Sequence, residues 1–209
     1  MILKSKTALS IFLIWLFNIS GILGILFSNP SWFLKFTPVN LLLYVVLILW
    51  NSDEKLNRFF TAFAFPFFIG FTTEYLGVNY GWIFGTYSYG DNLGLKIGGV
   101  PITICINWAI LTIVTSDLSR YISGNLYARA LIGGILMTLL DVIIEVSAPR
   151  FDFWLFESDT IPLKNYIAWL VIGSLAHYFY QRISIKTHQS ISIHIFVAIG
   201  IFFCTFLFF

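Results

Sequence analysis

Apolar residues run along this chain in long stretches separated by short polar breaks. Seven stretches can be drawn, over residues 7–27, 32–50, 59–80, 100–116, 126–146, 166–180 and 191–209. A helix needs roughly 20 residues to cross a bilayer's hydrocarbon, and most of the stretches approach that length. The pattern predicts an all-α, polytopic membrane bundle of about seven transmembrane helices, forming a single integral membrane domain over 1–209. The stretch 32–50 is the weakest, because Lys35 and Pro38 interrupt it; without it the count is six. The first stretch follows Lys4 and Lys6 and so resembles a signal peptide. It ends in Ser28-Asn29-Pro30, with no small-x-small cleavage site, and fits a first span better. Two connectors, 81–98 and 148–163, are long and are expected as loops on the outer side.

Composition agrees with the pattern. Of 209 residues, 58% are hydrophobic, 19% aromatic and only 11% charged, and the mean hydropathy is +0.87, outside the range of soluble domains. A net charge of +2 with scattered basic residues excludes a nucleic-acid footprint. With seven spans, Lys4, Lys6, Lys55, Arg58, Arg120, Arg129, Arg182 and Lys186 fall on one side, and Lys35, Lys96, Arg150 and Lys164 on the other. The positive-inside rule then puts the N-terminus inside and the C-terminus outside the cytoplasmic membrane. Acidic residues divide the opposite way. Glu74, Asp91, Asp141, Glu145, Asp152, Glu157 and Asp159 lie toward the outer half, against Asp53, Glu54 and Asp117 inside.

The stretch 74–108 organises the chain. Seven of the 15 glycines lie from Gly77 to Gly99, interleaved with Tyr80, Trp82, Phe84, Tyr87 and Tyr89. Glycine permits close backbone approach and aromatic faces make rigid walls, a combination suited to a cavity for a large apolar ligand. The four-residue spacings Gly77/Gly81/Gly85 and Gly90/Gly94/Gly98 would make a small-residue stripe on a helix; they read as plain packing or turn geometry, with a substrate wall as the alternative.

Asp141 and Glu145, spaced i,i+4, share one helix face, and ionisable groups are too costly to face lipid. They are either structural groups, paired with Lys or Arg or capping a helix end, or chemical ones. In a dry pocket two adjacent carboxyls retain at least one proton, and a protonated carboxyl is a general acid. Glu74, at similar depth, is the natural third member. Tyr87, Tyr89, Trp82, Trp108 and Trp154 are read as belt aromatics or as the wall of this site, where ring faces would stabilise a cation. Asn107 and Asn165 need partners, by bridging helices or holding a water. His177, His188 and His194 form no metal box, Cys105 and Cys204 read as core residues, and the last stretch has no lysine for a retinal Schiff base. No nucleotide loop, metal cluster or nucleophile triad is present.

Glu74, Gly77, the run Gly81-Trp82-Ile83-Phe84-Gly85-Thr86-Tyr87-Ser88-Tyr89, Leu93-Gly94, Gly99-Val100-Pro101 and Trp108 together resemble the membrane-bound carotenoid hydratases. These are of the bisanhydrobacterioruberin hydratase and γ-carotene 1′-hydratase type. Asp141, Glu145, Ala148-Pro149, Phe153-Trp154, Ile161-Pro162, Asn165-Tyr166 and Trp169 resemble that family's second block. Val146 departs from it, since Pro commonly follows this Glu. The resemblance covers about 70–175. It implies addition of water to the terminal 1,2 double bond of an acyclic carotenoid such as lycopene or γ-carotene, giving a tertiary alcohol, with no cofactor and no metal. It further implies Glu74, Asp141 and Glu145 as the acid and base groups. Trp82, Phe84, Tyr87, Tyr89, Asn107, Trp108, Trp154, Asn165 and Trp169 would contact the substrate, and other carotenoid enzymes would be possible partners in the bilayer. A proton-coupled transporter of a hydrophobic compound and a carotenoid end-group cyclase are the competing readings.

Overall fold

The computed structural model describes residues 2–158, 160–183, 185 and 187–209. Asp159 and Lys186, counted above among the charges, lie outside the described residues, as does the side chain of Lys4. The fold is the expected all-α membrane bundle. Its long helices are α1 (Ile2–Phe27), α3 (Thr37–Trp50), α4 (Leu56–Tyr80), α5 (Ile102–Ile122), α6 (Leu126–Ser147), α7 (Leu163–Ile183) and α8 (Gln189–Thr205), and a single turn, α2 (Pro30–Leu34), leads into α3. Pro30–Trp50 counts as one span, and among the described residues five helical segments are long and apolar enough to cross a membrane, while α8 is apolar but shorter. The interruption at Lys35 and Pro38 is a break between α2 and α3, where Pro38 starts a new helix at a position that needs no N–H partner.

α5 is the axis of the bundle, packing against α3, α4, α6, α7 and α8. Most of its apolar residues up to Leu118 are buried, whereas α1 and α3 turn many apolar side chains outward, as lipid-facing helices do. α1 and α8 run side by side in the same direction. Thr7 meets His188, the Trp15 indole donates to His194 Nδ1 at 3.0 Å, and Gly21 lies against Phe202. Parallel first and last helices fit an odd number of crossings.

α6 and α7 form an antiparallel pair with close backbones. Gly134 lies under Ser174 and Gly173, and Gly133 lies under the ring of the fully buried His177. Small residues at such an interface replace the hydrophobic drive that lipid cannot supply. At the other end of α5, Asp117 accepts from Arg120 at 3.0 Å, from Ser192 at 2.6 Å and from Thr187, which ties α5 to the start of α8.

The two long connectors meet at one end of the bundle. β1 (Tyr87–Tyr89) pairs antiparallel with β4 (Trp154–Phe156), Tyr87 opposite Phe156 and Tyr89 opposite Trp154. A second hairpin joins β2 (Lys96–Ile97) to β3 (Val100–Pro101). Gly90 N–H donates to Phe153 O, Asp91 N–H to Asp152 and Asn92 to Phe151 O, all at 2.8–2.9 Å. The glycine ladders resolve mainly as turn geometry, since Gly81, Gly85, Gly94, Gly98 and Gly99 all have positive φ, and Gly81 ends α4 in the left-handed region that other residues rarely adopt.

A Cβ at Gly133 would lie 2.1 Å from His177 Cδ2, whereas one at Gly124 would meet nothing within 4 Å. Gly133→Ala is expected to cost about 1–3 kcal/mol through overpacking. Thermal unfolding in detergent should show a lowered midpoint for it and none for Gly124→Ala.

Candidate functional site

Glu74 lies six residues before the end of α4, about 9 Å below it at the helical rise, and its side chain is buried. Three donors from two other segments converge on it. Tyr89 donates to Oε2 at 2.7 Å, Tyr87 donates to the same oxygen, and Trp108 Nε1 on α5 donates to Oε1 at 2.9 Å. Two glycines of α4 make room for these rings. Gly70 sits under Trp108, where a Cβ would come within 2.5 Å of the indole, and Gly77 sits under Tyr87, where it would come within 2.6 Å of the hydroxyl. They lie four residues before and three after Glu74, on the same helix face. Trp108 also stacks on Trp169 of α7, with centroids 4.4 Å apart and planes 8° from parallel.

Asp141 and Glu145 lie near the end of α6, and both are buried. Asn165, in the first turn of α7, spans them. Its Nδ2 donates to Asp141 Oδ2 at 3.0 Å and to Glu145 Oε1 at 3.1 Å. Trp154 Nε1 on β4 donates to Glu145 Oε2 at 2.9 Å. Asp141 Oδ1 has no hydrogen-bond partner among the described residues. Unlike a structural pair, these carboxyls face no Lys or Arg among the described residues; the salt bridges Arg58–Glu54, Lys96–Asp91 and Arg120–Asp117 lie elsewhere.

The three carboxyls line one chamber of about 30 Å³, together with Phe84, Tyr87, Tyr89, Asn107, Trp154, Phe156, Asn165 and Trp169. That volume has room for a water. A second cavity of about 440 Å³ adjoins it, with an apolar wall drawn from α1, α2, α3 and α8, within the size range of ligand pockets. Ile104, Asn107, Ile144 and Trp154 line both spaces and form the partition between them. Asn107 makes no side-chain hydrogen bond among the described residues, so its amide is free at that junction.

Tyr87 and Tyr89 lie on β1, outside the spans. Burial first, and the charge of Glu74 second, raise both phenols well above their ordinary 10.0. They are fixed donors at any physiological pH. Among the described residues no group of three or more His, Cys, Asp or Glu is arranged to hold a metal ion.

Of the residues singled out from the sequence, Glu74, Asp141, Glu145, Phe84, Tyr87, Tyr89, Asn107, Trp154, Asn165 and Trp169 line the small chamber, and Trp108 supports it from behind. Trp82 does not join them. It is 70% exposed and packs on Tyr80 at the end of α4, an interfacial position. Sequence reasoning missed the wide cavity's wall on α1 and α3, including Asn18, Asn40 and Tyr44. The polar residues Asn18 and Asn40, each inside or beside an apolar stretch, were the available signal.

The chain is a membrane helix bundle that holds three buried carboxyls beside an apolar cavity. A family model described as "Carotenoid biosynthesis protein" matches residues 36–209, and the chain belongs to that family. Bisanhydrobacterioruberin hydratase of Haloarcula japonica is 31% identical over 111 residues, which cover 49% of this chain and 38% of that relative's length. No solved structure matches.

The raised phenols generate a titration test. Tyr87 and Tyr89 should stay protonated while exposed tyrosines ionise, so Tyr87→Phe and Tyr89→Phe should leave the ultraviolet absorbance change around pH 10.0 unaltered. Because the folded state holds these protons more tightly than the unfolded one, their contribution is complete below pH 10.0 and is lost as pH rises above it. The double Phe variant should therefore show a weaker fall of thermal midpoint with alkaline pH than the parent.

Proposed function

We propose that this protein is a carotenoid 1,2-hydratase, adding water to the terminal C1=C2 bond of an acyclic carotenoid end group. The observation that carries this reading is the juxtaposition of a water-sized acidic chamber with a wide apolar cavity across one shared partition. The apolar cavity suits the chain end of a polyene, and the small chamber suits the acid and the water. The hydratase name of the similar Haloarcula japonica protein agrees with it.

The hydrogen bonds support the following assignment of roles. Glu74 already accepts from three donors and serves as a fixed negative charge that stabilises a cation nearby. Asp141 keeps one oxygen unengaged and is the proton donor. Its proton goes to C2, the two π electrons forming the new C–H bond, and the positive charge develops at C1, where two methyl groups and the aromatic walls stabilise it. Water adds at C1, and Glu145 takes the proton that the water loses. The proton then returns from Glu145 to Asp141 through water in the chamber, the two carboxyls being held one helical turn apart by the Asn165 amide, so the reaction consumes only alkene and water. An end-group cyclase performs the same protonation but has to exclude water, and a polar chamber with room for one argues against it. A transporter relay would spread its carboxyls through the membrane, whereas these three gather at one end.

The distribution of basic residues supports insertion in the cytoplasmic membrane with the N-terminus inside and the C-terminus outside. The acid site then lies near the outer surface, where water can reach it beneath the β1–β4 lid.

Expression in a lycopene- or γ-carotene-producing host should yield a carotenoid heavier by one water. Asp141→Asn should lower its formation by about 10²–10⁴-fold, the usual worth of a general acid, with protein levels unchanged. Glu145→Gln and Glu74→Gln should each be strongly impaired. Full activity in all three amides would overturn the acid assignment.

A further inference from the structure

Most polar atoms that face the acid chamber are already engaged. Both oxygens of Glu74 and both of Glu145 accept hydrogen bonds, the Tyr87 and Tyr89 hydroxyls are spent on Glu74, and Asp141 Oδ2 takes the Asn165 amide. Among the described residues, Asp141 Oδ1, Asn165 Oδ1 and the whole side-chain amide of Asn107 are left without a protein partner. All three residues line the chamber, and none of these atoms is sealed in the packing as Asn40 Oδ1 is.

Asn107 lies on α5 between Ile104, three residues before it, and Leu111, four after it, and the three line the chamber from one helix face. Asn107 is the polar member of that row and, with Ile104, it also reaches the wide cavity. An amide that bridges helices has its partner on the next helix; this one has none among the described residues. A bound water needs two to four polar partners, and Asn107, Asn165 Oδ1 and Glu145 supply them around a space of about 30 Å³. Asn107 Oδ1 accepts one O–H of such a water and Glu145 the other, which leaves a lone pair of the water free. Because Asn107 stands in the partition, that lone pair is presented where a chain end from the wide cavity meets the acids.

We propose that Asn107 holds the attacking water and thereby decides the fate of the carbocation. The proposal rests on the hydratase reading of this site. Once a proton has reached C2, the cation has two exits. In the first, the lone pair of the held water forms the C1–O bond and the water's proton passes to the Glu145 carboxylate, giving the tertiary alcohol. In the second, a C–H bond next to C1 breaks, its electrons restore a double bond, and the proton goes to a carboxylate, giving alkene again. A water already in place favours the first exit by proximity. Protonation itself needs nothing from the amide, since Asp141 supplies the proton.

The test uses the full-length protein in detergent in heavy water, with lycopene as the probe, and follows by mass spectrometry both the alcohol and the deuterium that enters recovered lycopene or its double-bond isomers. The parent should form the alcohol and leave little deuterium in the recovered alkene. In Asn107→Leu the alcohol should fall about 10–100-fold, the usual effect of misplacing a reacting group, through kcat with the KM for lycopene little changed, while deuterium still enters the alkene. Asn107→Ala should move the ratio of deuterated alkene to alcohol the same way, and Asn107→Ser, whose hydroxyl still holds a water, should return it part of the way. The ratio is read on the folded protein alone, so a lowered yield of any variant does not obscure it. A ratio unchanged from the parent's in both Asn107→Leu and Asn107→Ala overturns the water-holding role, whether the alcohol persists or both products fall together. A parent that forms no alcohol overturns the hydratase reading and this role with it.

Discussion

A buried carboxylate is tolerable only when its oxygens are satisfied, and the satisfaction of Glu74 governs the lid end of this bundle. Its donors come from β1 and α5, so one side chain ties α4 to the connector above it and to the central helix beside it. Gly70 and Gly77 are part of the same arrangement, because without them neither Trp108 nor Tyr87 reaches the carboxylate. β1 is held by its pairing with β4, and β4 delivers the Trp154 indole to Glu145. The two connectors, the three carboxyls and the cover of the chamber are therefore one interdependent structure.

The α6–α7 pair contributes a second constraint. Gly133, Gly134 and Gly173 bring the two backbones together through the middle of the bundle. That approach brings Asn165 against both Asp141 and Glu145, where one amide nitrogen holds two carboxyls side by side. Like charges so placed repel unless they share a proton, and a shared proton is what the proposed hydration would use. The polar chamber is small and the apolar cavity beside it is wide, a division of space that supports the proposed reaction between one water and a long hydrocarbon.

Much of this architecture was legible in the sequence because its signals are local. Lengths of apolar runs mark helices whatever their neighbours do, and the limits of α4 and α6 fall within a few residues of the stretches 59–80 and 126–146. The break at Lys35 and Pro38 was visible too, as an interruption of the second stretch. The i,i+4 spacing of Asp141 and Glu145 follows from helical geometry alone, and the cost of an ionisable group in lipid turns both inward.

What the tertiary structure decided are relations between segments distant along the chain. No local pattern pairs Tyr87 with Phe156, seats Asn165 between two carboxyls 20 and 24 residues earlier, or turns Trp82 away to the surface while Trp108 is drawn inside. The wide cavity and its Asn18, Asn40 and Tyr44 patch likewise come from the meeting of α1 with α3, two stretches that each read as plain membrane spans. Hydropathy along a chain states which residues leave water; it does not state which of them meet, because that depends on the close packing of whole helices, where a glycine in one is matched by a ring from another.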